Sequence, residues 1–581
     1  MKKRTSIKLL TLSVLLGCLS ACDGNEKAAI PHNTALTHYL QRDIQEDSFY
    51  FVMPDRFYNG NTENDLGAPV GSISHGGFEP TSKWAFHGGD MAGIEQKLDY
   101  LEGMGITAIW MTPILRNKAV QDDGIAHHGY WIVDFTEIDP HFGSNADLKQ
   151  LIDAAHSRNI KVFFDIITNH TADVIKYEEC HQKNGEHLEG RDHCEYRTLA
   201  EVKEKGTLTP FITADEESVK SPEWLNDTRY YHNQGDTSFQ GENSLFGDFN
   251  GLDDINTEHP DVVSGMIDIY KNLITEFKPD GFRIDTVRHV QLPFWQAFSP
   301  AIMAHAHKEG IPKFHIFGEV YDASPKALSL YTTEGKLPAV LDFGFQDAAR
   351  HVFFDNSKVS KLASLIEQDN LYNDDNSDVT QLLTFLGNHD MGRPGHFINS
   401  ALSDAPHEEK LQRSILAHAF MYFSRGVPVV YYGDEQGFTG DGNDVDARED
   451  MMPSYVASYN DNDLLGTNAT TVDDNFDTKH PIYQAISTFA NIRKQLPVLQ
   501  YGEMKTQLVD NSKQVYTYVR TSDVHGSPLF VAFNASTQKQ VVKLDASFAQ
   551  QKHLFGDARL MEKDGVVQLA LPALSFGIFA L

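Results

Sequence analysis

From Ser48 onward the chain alternates short apolar segments with amphipathic helical ones, and few folds accept that pattern. The segments 49–53, 108–111, 161–164, the stretch around Phe282, 315–317, 340–341, 382–386 and 427–431 read as eight strands. Helical periodicity over 93–104, 146–158 and 262–277 separates several of them. Eight strands with helical crossovers point to an α/β protein with a (β/α)8 TIM barrel. The connection after the third strand is too long and too rich in Asn, Gly and Asp for a simple crossover. It is expected to be an inserted subdomain over 171–253, flanked by barrel segments 47–170 and 254–495. Short alternating stretches at 515–519, 529–533 and 577–581 predict a C-terminal all-β domain, a β-sandwich over 496–581.

Barrel enzymes carry their chemistry where strands end. The fourth strand leads into Gly281-Phe282-Arg283-Ile284-Asp285-Thr286-Val287-Arg288-His289. Arg283 and Asp285 point to the same side, and a carboxylate beside a guanidinium is held ionised. An ionised carboxylate at a strand end suits the nucleophile of a glycosidase, although a structural ion pair explains this segment equally well by itself. Three more carboxylates stand at strand ends: Asp165 in DIITNH, Glu319 in FGEV and Asp390 in FLGNHD. Four such settings in order on one barrel outweigh the structural explanation.

Composition excludes other classes. The formal net charge is -32, and no basic stretch follows the N-terminus. A nucleic-acid partner is therefore not expected, because phosphate binding needs clustered Lys and Arg. Lys2, Lys3 and Arg4 precede an apolar run over 9–16, the pattern of an export signal. It ends in Leu19-Ser20-Ala21-Cys22, which resembles a bacterial lipoprotein box with Cys22 lipidated; an ordinary cleaved signal, or Cys18, is the alternative. Residues 1–22 then form the signal and 23–46 a polar tether. The expected protein is exported and lipid-anchored at the cell envelope, touching membrane only through the anchor. Cys180 and Cys194 in an exported chain are expected to form a disulfide. A zinc site with His181, His187 and His193 is the alternative, with spacing that matches no common ligand pattern.

The segments around Asp165, Asp285, Glu319 and Asp390 resemble the signature regions of the α-amylase family, glycoside hydrolase family thirteen. The similarity extends to Gly105-Ile106-Thr107-Ala108-Ile109-Trp110, to His128-Gly129-Tyr130-Trp131 and to Tyr431-Tyr432-Gly433-Asp434-Glu435-Gln436. In texture the chain is similar to bacterial α-amylases and cyclodextrin glucanotransferases. The resemblance implies Asp285 as nucleophile, Glu319 as general acid and base, and Asp390 as the carboxylate that binds sugar hydroxyls. It implies substrate contacts from His128, Arg283, His389, Asp444 and Arg448, with Arg288 on the leaving-group side; Tyr130 and Trp131 offer stacking faces for glucose rings, aromatic core packing being the equal alternative. Asp165 is expected to brace Arg283. Two positions depart from the family pattern: His127 stands where Tyr is common, and Arg288 where Lys is common.

The resemblance further implies structural calcium, one ion and a possible second. Asn169, Asp254 and the carbonyl of His289 match the usual site, with Asp253 the alternative to Asp254. Asn59, Asn61, Asn64 and Asp65, with Gly88 and Asp90, resemble an N-terminal calcium loop, although an Asx-rich turn would read the same. The function implied is retaining, endo-acting hydrolysis of α-1,4-glucosidic bonds in starch, glycogen or maltooligosaccharides. A cyclodextrin-degrading hydrolase or a glucanotransferase is the alternative; a single β domain after the barrel favours hydrolysis. A non-catalytic amylase-like scaffold is least expected, because such relatives lose carboxylates that this chain keeps.

Overall fold

The computed structural model describes residues 39–121, 124–549 and 551–581. Eight parallel strands form the centre: β1 (Phe49–Val52), β2 (Ala108–Met111), β3 (Lys161–Ile166), β4 (Gly281–Ile284), β5 (His315–Gly318), β6 (Ala339–Val340), β7 (Leu383–Phe385) and β8 (Val427–Tyr431). Their order in the sheet is β6-β5-β4-β3-β2-β1-β8-β7. A parallel bridge between Leu341 and Leu383 joins the last pair and closes the barrel. All eight strand positions follow the apolar runs, with ends shifted by one or two residues. Those strands are buried throughout, as expected where helices cover a parallel sheet.

Aromatic rings fill the barrel interior. Phe49 meets Phe163 and Phe317 at centroid distances of 4.7 and 5.9 Å, and Trp110 lies 5.5 Å from Phe317. Gly281 makes room for this layer, since a Cβ there would stand 2.1 Å from the Phe163 ring. One turn of pleat further on, the fillers become charged: Asp165 pairs with Arg283 in the β3–β4 register.

Residues 39–46, expected as tether, instead pack on the barrel. Arg42 donates to Asp47 at 2.6 Å and to the carbonyls of Asn159 and Thr107, and Lys161 reaches Asp47 at 2.8 Å. These buried ion pairs seal the end of the barrel where β2 and β3 begin. The export signal and Cys22 lie outside the described residues. The helix expected over 93–104 is two helices, Met91–Gln96 and Leu98–Met104, meeting at Lys97.

The inserted segment carries an antiparallel pair, Ile175–Tyr177 with Pro210–Ile212, and the bonded Cys180 and Cys194, whose Cα atoms are 5.5 Å apart. The zinc alternative therefore lacks its thiolates. A second excursion, not read from the sequence, pairs Leu115–Asn117 with Ile132–Ile138 above β2. The C-terminal region forms a five-stranded and a three-stranded antiparallel sheet around Val515, Phe530, Leu569 and Phe579.

Candidate active site

Register builds the centre of the site. Ile284 pairs with Gly318, so Asp285 and Glu319 are the next residues on neighbouring strands. Adjacent strands lie about 4.8 Å apart, which accommodates the roughly 5–5.5 Å between carboxyls in a retaining glycosidase. Arg283 spans the pair: Nη1 meets Asp285 Oδ1 at 2.9 Å and Nη2 meets Glu319 Oε2 at 2.9 Å. Asp165 holds the same guanidinium at 2.8 Å and is itself fixed by donors from Trp110 Nε1 and the Tyr130 hydroxyl. Asp165 thus braces Arg283, as expected, from beneath the cleft.

Burial, reinforced by the charges of Asp285 and Asp390, pushes the pKa of Glu319 up to about 8 against the opposing pull of Arg283 and the Thr286 amide. A carboxyl that keeps its proton at neutral pH next to an ion-paired carboxylate is the acid–nucleophile division of labour.

Asp390 enters from the β7 end. Its Oδ1 lies 3.3 Å from His389 Nε2 and 3.5 Å from Arg448 Nη2, and burial raises its pKa. Arg448 also donates to the His389 carbonyl at 3.1 Å and pairs with Asp444. Burial and the nearby cations keep His128 and His389 neutral. The Tyr130 amide donates to His128 Nδ1, which leaves Nε2–H as the imidazole donor. His389 Nδ1 is buried without a hydrogen-bond partner, a position that a sugar hydroxyl could satisfy. Tyr130 stacks on His389 with rings 5.6 Å apart and 6° from parallel, so protein already covers one of its faces. His127, at the position where Tyr is common, faces Arg448 Nη1 at 3.4 Å.

Asp285, Glu319, Asp390, His128, His389 and Arg448 line one cleft of about 680 Å³, together with Arg288, Trp84, Phe239 and Tyr321. Arg288 reaches over to the Tyr321 carbonyl at 2.7 Å. Sequence reading missed the last three, which sit on loops without a periodic or motif signal.

The candidate metal ligands lie near one another in both places, with Asn169 presenting its Nδ2 donor to the other two. Asn169 contacts Asp254 Oδ1 at 3.0 Å and the His289 carbonyl at 3.4 Å. Asp253 is not available there, because Lys220 and the amides of Val174 and Ile175 occupy it. His232 takes the other oxygen of Asp254. In the N-terminal loop, Asp90 accepts from the amides of Gly60 and Asn61 and from Asn64. Asp65 accepts from Asn59, and a Cβ on Gly88 would stand 2.7 Å from Asp65 Oδ1. The side-chain oxygens of Asn59 and Asn64 are buried without partners.

Fold and site together define a (β/α)8 barrel with two carboxyls paired across one guanidinium at the strand ends. A family model described as alpha amylase, catalytic domain, matches residues 51–502. The chain belongs to the α-amylase family. It is 42% identical over 512 residues to an α-amylase of Streptomyces lividans, covering 85% of this chain and 56% of that protein. It thus spans about half the length of that relative. An Anoxybacillus α-amylase structure superposes with a TM-score of 0.68 at 27% identity, covering 93% of this chain and 99% of the other. A cyclomaltodextrin glucanotransferase with a three-domain ABC distribution superposes with a TM-score of 0.68 at 25% identity, covering 92% and 98%.

Proposed function

We propose that the chain is a retaining, endo-acting hydrolase of α-1,4-glucosidic bonds in starch, glycogen or maltooligosaccharides. Glu319 gives its proton to the glucosidic oxygen while Asp285 forms an ester to the anomeric carbon. Glu319, now a carboxylate, then takes a proton from water, whose oxygen attacks the same carbon and frees Asp285. Asp390, His389, His128 and Arg448 hold the hydroxyls of the glucose at the cleavage point, and Asp444 helps position Arg448. The reading rests on the β4–β5 register that sets Asp285 beside Glu319 across one guanidinium. In its test, Glu319→Gln should lose about a thousandfold in starch hydrolysis. Undiminished cleavage would overturn the assignment.

The same ester can pass to a sugar instead of water, and the likeness to a glucanotransferase keeps that second reading in view. Parallel time courses on soluble starch, β-cyclodextrin and pullulan separate the two. Mixed oligosaccharides from starch support the hydrolase, and rapid ring opening supports the cyclodextrin-degrading alternative. A scaffold without catalysis is disfavoured by three carboxylates meeting in one cleft.

Structural calcium belongs to the proposal. The N-terminal loop fits a hard cation, since Asn59 and Asn64 leave buried oxygens unpartnered beside Asp65 and Asp90, and the Gly88 backbone approaches closely. Asn169, Asp254 and the His289 carbonyl would hold the other ion between barrel and insert. Calcium there would clamp loops and take no part in bond cleavage. The lipid anchor at Cys22 is likewise proposed, on sequence alone.

A further inference from the structure

Trp84 is 55% exposed, yet it stands on one of the most firmly held loops of the molecule. Residues 79–86 close on themselves: Glu79 donates its amide to the Phe86 carbonyl at 3.1 Å, and Ala85 donates to Ser82 at 3.0 Å. The fully buried guanidinium of Arg56 reaches both sides of Trp84, with Nη2 on the carbonyls of Lys83 at 3.2 Å and Ala85 at 2.7 Å. Asp55 neutralises Arg56 at 2.7 Å and accepts the amides of His87 and Gly88. Arg56 Nη1 also touches the Arg448 carbonyl at 3.5 Å, and Lys83 pairs with Asp446. Both links tie the Trp84 loop to the loop carrying Asp444 and Arg448.

A buried charge pair that fixes the backbone around an exposed indole does not serve burial of that indole. It serves presentation, since a rigid aromatic face binds with little ordering cost. Trp84 lines the cleft on the side of Asp444 and Arg448. Tyr321, two residues beyond Glu319, lines it on the acid's side, where the leaving group departs. Trp84 therefore faces the part of the glucan that stays with Asp285. We infer that Trp84 is a stacking platform for a glucose unit away from the cleavage point, on the glycone side, and that Arg56 is its positioning residue. Glucose presents an apolar C–H face that an indole covers, and the one cation over that ring, Lys83 with Nζ 5.9 Å from its centroid, is already paired with Asp446.

This inference rests on the α-glucan reading, and the experiment separates the two. The ratio of kcat/KM on maltoheptaose to that on maltotriose is measured for the wild type and for Trp84→Ala, Trp84→Leu and Trp84→Phe. The ratio should fall about tenfold for the Ala and Leu variants, which lack a flat ring, and recover with Phe. A ratio equal to the wild type's in Trp84→Ala, or an equal rescue by Leu and Phe, overturns the platform. A wild type that cleaves neither sugar overturns the α-glucan reading instead. Folding is checked independently by the thermal midpoint of each variant. A second readout uses the inactive Glu319→Gln enzyme: maltoheptaose should quench a fluorescence component that disappears with Trp84→Phe, and a quench that survives the substitution counts against the platform.

Discussion

The floor and the rim of the cleft are built by different means. At the floor, Asp165, Arg283, Asp285 and Glu319 stand on or directly after β3, β4 and β5, and strand register places them with no help from loops. At the rim, Trp84, Phe239 and Tyr321 sit on connections whose shape depends on distant partners such as Arg56. The floor is dry and interlocked, with Arg283 and Asp165 at 1% and 0% side-chain exposure. The rim is wet. The carboxylates are thus fixed by strand register, and the rim aromatics by loops that side chains such as Arg56 hold from outside the barrel.

Breaking the floor should have the larger consequences. Asp165→Ala removes one of three carboxyls around Arg283 and leaves the buried Trp110 Nε1 donor unpaired, a loss of about 1–3 kcal/mol. Urea unfolding should show that loss, with activity falling as Arg283 shifts. A change under about 1 kcal/mol would mean that the floor is not the interlocked lattice described here. Calcium comes next, because it would clamp loops from outside the floor. At a hundredfold excess over Kd, a bound ion contributes about 2.7 kcal/mol. Chelation should lower the thermal midpoint, and Asn64→Ala should remove the N-terminal loop's share of the calcium-dependent part. A midpoint insensitive to both chelator and added calcium would remove the ion from the account.

The pH response sharpens the comparison further. Catalysis needs protonated Glu319, whose pKa in the free enzyme is raised to about 8. The alkaline limb of kcat/KM should therefore turn down near pH 8, falling about tenfold per pH unit beyond. The acid form is present below that point, so Glu319 imposes no loss between pH 5 and 7. A limb that bends near pH 5 would show that Glu319 is not held protonated.

The same division explains what the sequence disclosed. Period-two and period-three-to-four patterns carry strands and helices, so the barrel, the insert and the strand-end carboxylates could be read directly. The bracing role of Asp165 followed from its place beside Arg283. Other features depend on contacts far apart in the chain. Residues 39–46 read as polar tether because nothing local shows that Arg42 and Asp47 meet Thr107, Asn159 and Lys161. Asp253 stood as the alternative to Asp254 because nothing local shows that Lys220, thirty-three positions earlier, pairs with it. Trp84 carried no motif because its environment is assembled by Arg56 and Lys83 in three dimensions.

The stereochemistry of the first product tests the central pairing most directly. Proton NMR of maltopentaose hydrolysis, followed from the first seconds before mutarotation, reports the anomer released. Two displacements at one carbon, the first by Asp285 and the second by water under Glu319, predict that the α-anomer appears first. Initial appearance of the β-anomer would mean a single displacement, and would contradict the account.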